Sequence, residues 1–147
     1  MTNFRSLLLT SVLVLSLAIS ALPAVAADWV LVASAKTGIT RLTRDDVTNI
    51  YLGRYRRLDS GITAQPLDQP ADSTLKTHFY RSLVDKSLPE INAYWARLVF
   101  SGKTQPPRTA ASSEEAMQFV SRHPGALAYI ERPKVDGRVI IVFDMGD

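Results

Sequence analysis

The sequence predicts an α/β domain in which a mixed β-sheet is flanked by helices. Three observations carry that expectation. Short β-rich runs alternate with helix-period runs through the middle of the chain, the helix starts carry recognisable caps, and two further strand-like runs finish it. Cysteine is absent from the 147 residues, so no disulfide staples the fold and the core must hold it unaided.

The opening segment, residues 1–27, has the order of a secretory signal peptide. A single basic residue, Arg5, precedes an apolar run from Leu7 to Leu22, and Ala24-Val25-Ala26 fits the small-residue cleavage pattern. The competing reading is a membrane anchor, since the run approaches the roughly 20 residues that span a bilayer. Pro23 and the alanine-rich exit favour cleavage and export to the periplasm. The remaining 28–147, about one domain's worth of chain, form a single domain on this reading. The formal charge of +3 loses only Arg5 with the signal, which is too little to argue for nucleic acid.

Each element then follows in order. "DWVLVASA" gives a first strand over 29–33. "LTRDDVTNIYLG" gives a helix capped by Thr43 with Asp46 three residues on, Val47, Ile50 and Tyr51 on one face, and Gly53 as the stop. A strand is expected over 62–67, and a helix from "DSTLKTHFYRSLV" with Leu75, Phe79, Leu83 and Val84 inward. "SLPEINAYWARLVFSG" carries a Ser87–Glu90 capping box, Pro89 in the first turn, and a stripe of Ile91, Tyr94, Trp95, Leu98 and Val99. An extended "KTQPPRTA" linker leads to a helix boxed by Ser112 and Glu115, with Ala116, Phe119 and Val120 inward and Pro124-Gly125 as the break. "ALAYIE" and "RVIIVFD" are expected to pair across a "VDGR" turn.

The chemistry-bearing residues are few. His78 and His123 are isolated, no metal-ligand spacing occurs, and no serine sits in a Gly-x-Ser-x-Gly turn, so neither a catalytic residue, a metal nor a cofactor is expected. One helix start differs from the rest. "DSTLKTH" offers Ser73, Thr74 and Lys76 with no acid after the cap, which suits an oxyanion held by backbone N–H groups. The plainer alternative is that Asp72 simply caps this helix. "YLGRYRRLDSG" adds Arg54, Arg56 and Arg57, an anion-attracting rim or an ordinary solvated loop, with Tyr51 and Tyr55 available to pack beside it.

Taken together, "LTRDDVTNIYLGR", "ITAQPLDQPADSTLKTHFY", "YWARLVFSG" and "PGALAYIE" occur in an order that resembles the phosphate-binding proteins of ABC transporters, and more closely the short, single-lobe members of that superfamily. The resemblance runs from about residue 42 to 142 and implies a periplasmic-binding-protein-type lobe. Complete members hold phosphate in a cleft between two lobes; this chain corresponds to the second lobe alone. The family's phosphate loop reads Arg-Ser-Asp-Gly-Ser-Gly-Thr. Aligned on Ser73, Gln69 stands for the arginine, Ala71 for the aspartate, Thr74 for the second glycine and Leu75 for the threonine. Only Ser73 carries over from that loop. The resemblance implies a non-enzymatic protein that binds phosphate or a similar oxyanion; joined to the reading of the helix start, it gives Asp72, Ser73, Thr74 and Lys76 as the site. It would work with an ABC transporter or another envelope protein, or as a homodimer that completes the cleft. The alternative is an interaction module whose ligand site has decayed.

Overall fold

The computed structural model describes residues 28–145, so the expected signal segment lies outside the described residues. In chain order the elements are β1 (Trp29–Ala33), α1 (Arg44–Tyr51), β2 (Gln65–Asp68), α2 (Thr74–Val84), α3 (Leu88–Phe100), β3 (Arg108–Thr109), α4 (Ser113–Arg122), β4 (Ala126–Glu131) and β5 (Ile140–Asp144). A short 3₁₀ turn, Arg132–Lys134, follows β4.

The strands form a mixed sheet in the order β3–β2–β4–β1–β5. β2 runs parallel to both β3 and β4, while β1 runs antiparallel to β4 and β5. Every residue of β1 is buried because helices cover both faces of the sheet. The period-2 alternation sorts its side chains: Trp29, Leu31 and Ala33 join a core with α1, α2 and α3, whereas Val30 and Val32 join a second core with Met117 and Val120 of α4.

The two terminal strands do not form the expected hairpin. β1 lies between β4 and β5, and the other edge of β4 is taken by β2. With both of its edges occupied, β4 has no ladder left to offer β5. β2 also starts later than expected. Residues 62–64 first fold back on 56–58, with Leu58 N–H donating to Ile62 O at 2.9 Å and an isolated bridge between Arg57 and Thr63. Only then does Gln65 N–H reach Gly125 O at 2.7 Å and enter the sheet.

The helix caps follow the sequence closely. Thr43–Asp46 and Ser87–Glu90 form complete capping boxes. Ser112 caps α4 by accepting from Glu115 N–H, but Glu115 Oε2 accepts from Ala111 N–H rather than from Ser112, so that box is incomplete. On α3, Ile91 and Trp95 are buried, Tyr94 and Leu98 are half-buried, and Val99, expected inward, is exposed. α3 rests on its neighbours along a narrow stripe, and its last turn overhangs a cavity instead of the core.

Gly53 and Gly125 mark two close approaches. Gly53 follows α1 at φ +68°, and a Cβ there would lie 2.7 Å from the Trp95 ring. A Cβ on Gly125 would lie 2.1 Å from the Thr63 carbonyl oxygen, so only glycine lets the 62–64 segment pass.

Candidate functional site

β2, β3 and β4 share one direction and end at Asp68, Thr109 and Glu131, on one edge of the sheet. α2 follows β2 and α4 follows β3, so both helices start near that edge. Open sheets of this kind present ligand sites at the carboxyl ends of their parallel strands.

At the end of β2 a buried polar network gathers around Asp68, which is 6% exposed. Its Oδ1 accepts from the Tyr129 hydroxyl and from Gln69 N–H, the latter at 2.9 Å. Its Oδ2 accepts from Tyr80 OH at 3.0 Å and pairs with Lys76 Nζ at 3.1 Å. A carboxylate has about four acceptor positions, and here all four are filled. The Gln69 amide donates to Ser113 Oγ and to Tyr129 O, and Ser113 Oγ donates to Glu131 Oε2 at 2.6 Å. The network thus ties the ends of β2 and β4 to the start of α4.

Burial, followed by the Asp68 charge, pushes the phenols of Tyr80 and Tyr129 well above their ordinary range. Both therefore stay protonated as donors to the carboxylate. Burial also raises Tyr51, whose hydroxyl donates to the carbonyls of Leu67 and Leu127. Glu131 sits below the usual carboxylate range: its burial acts upward, but the hydrogen bonds it accepts, first from Ser113, outweigh it.

The residues singled out in "DSTLKTH" come together at the start of α2, with altered roles. Ser73, not Asp72, is the cap: its Oγ accepts from Lys76 N–H at 3.3 Å, while Asp72 sits exposed in the preceding turn. Thr74 opens the helix and is exposed. α2 has no acid in its first turn, unlike α1, α3 and α4. Lys76 does not stand free; its charge is opposed by Asp68.

The three arginines diverge. Arg54 donates to Asn49 Oδ1 and borders a groove of about 520 Å³ by the C-terminal ends of α1 and α2, with Lys86 and Arg97. Arg56 fastens the segment between α3 and β3 by donating to Gln105 O at 2.5 Å. Arg57 is exposed, beside Leu58 and Asp59. Tyr51 lies in the core and supports none of them, whereas Tyr55 OH donates to Asp46 Oδ1 at 2.6 Å.

Sequence reasoning missed Asp68, Tyr80 and Tyr129. The available signal was an acid ending an otherwise buried strand, "PLD", followed twelve residues later by a tyrosine on the apolar face of a helix.

No protein-family model matches this sequence, and no curated protein matches it. Among solved structures, the fold is that of a periplasmic-binding-protein-type lobe, as found in phosphate ABC transporter substrate-binding proteins. One match is an ABC-type phosphate transport receptor from Vibrio cholerae, at TM-score 0.62 and 16% identity over 78% of this chain and 45% of that chain. A second is a putative phosphate ABC transporter substrate-binding protein with bound phosphate from Clostridium perfringens, at TM-score 0.62 and 17% identity over 78% and 44%. A third is PstS from Borrelia burgdorferi, at TM-score 0.54 and 12% identity over 78% and 46%. The match thus spans less than half the length of each receptor, and identities this low establish the fold alone.

Proposed function

We propose that the chain is an exported, non-enzymatic binding lobe that holds phosphate or another small oxyanion at the start of α2, in connection with ABC-type uptake or sensing. Residues from 28 onward form the single binding domain, and the preceding segment directs it to the periplasm. The observation that carries this reading is the acid-free N-terminus of α2. A helix start leaves four N–H groups without intrahelical partners. Two of them are met here: Lys76 N–H donates to Ser73 Oγ at 3.3 Å, and Ser73 N–H donates to Pro70 O at 3.0 Å. The N–H groups of Thr74 and Leu75 remain to meet an anion, with the Thr74 hydroxyl and Lys76 close in sequence. The fold supports the reading by its likeness to receptors of phosphate transport.

Calorimetric titration of phosphate into the anion-stripped protein at fixed low salt tests it. One-site saturation is expected. Thr74→Glu should weaken it at least about tenfold while leaving the helix as stable or more so, because an acid in the first turn favours the helix dipole by about 0.3–1 kcal/mol. A flat titration on folded parent protein overturns the proposal.

Two observations favour a second reading, an envelope protein-interaction module on the same scaffold. Gln69, where the family resemblance places an arginine, is buried in internal hydrogen bonds, and Asp68 opposes Lys76. Phe100, 96% exposed at the end of α3, would belong to the contact surface. Specific capture of one envelope protein, lost in Phe100→Ser, supports this second reading; retention of the same protein by the variant removes it.

A further inference from the structure

A cavity of about 390 Å³ lies between α3, the end of β2 and the segment entering β3. Its polar lining includes the Asp68–Lys76 pair, whose side chains are only 7% and 13% exposed. Ile91, Trp95, Ala96, Val99, Pro106 and Pro107 supply its apolar lining. Trp95 is nine-tenths buried, and its indole N–H has no hydrogen-bond partner, a rare state for a buried tryptophan donor.

The pair is electrically balanced but chemically one-sided. Asp68 has its acceptor positions filled by Tyr80, Tyr129, Gln69 and Lys76. Lys76 has three N–H donors and spends one on Asp68, so this part of the cavity donates hydrogen bonds and accepts none. A bare phosphate has five heavy atoms, roughly the bulk of a few waters at about 30 Å³ each, and would leave most of the space and all of the apolar lining unused. Cavities of this size and lining take small organic molecules.

We infer that the ligand of this lobe is an organic oxyanion, a phosphonate or phosphomonoester carrying an apolar group of about phenyl size. The anionic head meets Lys76 and the apolar body lies against Trp95, Val99 and the Pro106–Pro107 segment. This inference rests on the oxyanion reading above, with which the cavity shares Lys76 alone, and names the ligand class for it.

Phenylphosphonate, methylphosphonate and inorganic phosphate, titrated side by side into the full mature chain, test it. Phenylphosphonate should bind at least about tenfold more tightly than phosphate, with methylphosphonate between them, since the apolar area that leaves water grows from phosphate through methyl to phenyl. Ala96→Phe, a substitution at an exposed helical position that fills the cavity, should erase the phenyl advantage. Phosphate binding with no phenyl preference overturns the inference while the oxyanion reading stands. A phenyl advantage that survives Ala96→Phe also overturns it, because the apolar group then lies elsewhere. No binding of any of the three to folded protein overturns both.

Discussion

Replacing Asp68 with alanine should be among the most damaging single changes in the protein. The substitution strips the acceptor from two buried tyrosine hydroxyls and from Lys76 Nζ. Gln69 N–H keeps a second acceptor in Tyr129 OH at 3.1 Å, so it is not orphaned. A buried group left without its partner costs about 1–3 kcal/mol, and removing one member of a buried ion pair costs about 3–5 kcal/mol. Lys76 is near enough to solvent to turn outward, which places the total near 4 kcal/mol. Urea unfolding followed by far-UV circular dichroism reads it directly. With a slope of about 2 kcal/mol per molar for a domain of this size, the midpoint should fall by about 2 M. Lys76→Met should cost less, because Asp68 keeps three donors, and the double variant should fall short of the sum by about 1–3 kcal/mol. A midpoint shift below about 0.5 M for Asp68→Ala, or strict additivity with Lys76→Met, would refute the claim that this network acts as a unit.

Two further predictions follow from the same geometry. Tyr51, Tyr80 and Tyr129 carry raised phenol pKa values in the fold, so the folded state keeps protons that the unfolded chain releases above its ordinary value of 10.0. Stability is therefore full below about pH 10 and declines as pH rises further; ultraviolet titration should show these phenols ionising only together with unfolding, and free reversible ionisation in the native state would contradict their burial. Gly125→Ala should destabilise by about 3 kcal/mol or more, since its Cβ would sit 2.1 Å from Thr63 O and neither backbone can yield without opening the Gln65–Gly125 hydrogen bond; thermal melting measures it, and a wild-type melting temperature would show that the 62–64 segment moves freely.

The helices were legible in the sequence because their signals are local. Thr43, Ser87 and Ser112 cap where spacing places them, and the face of Val47, Ile50 and Tyr51 packs inward. Long-range pairing was not legible. "ALAYIE" and "RVIIVFD" read as a hairpin because neighbours in sequence usually pair, and nothing within either run shows that Trp29–Ala33 will slot between them. Val99 misled because spacing reports which face a residue occupies, not how far the neighbouring element extends beneath it. Asp68 was hidden for a related reason. "LDQP" looks like turn chemistry, and only the sheet brings Tyr129, sixty-one positions away, onto its carboxylate. The start of α2 was legible as an unusual helix end, but the opposition of Lys76 by Asp68 depends on the same unseen packing.

The position of β1 sets the order in which this molecule can be made. Its partners are β4 and β5, with Trp29 paired to Glu131 and Val30 to Asp144, so β1, the earliest strand among the described residues, waits about 100 residues for either neighbour. Until then "WVLVA" is a bare, sticky β segment, and contacts this distant in sequence form slowly. No amino-terminal portion of the chain can hold the middle of the sheet. A ribosome delivering the chain from its N-terminus therefore holds β1 without either neighbour until β4 and β5 have emerged, and whatever shields that strand meanwhile governs how much folded protein results.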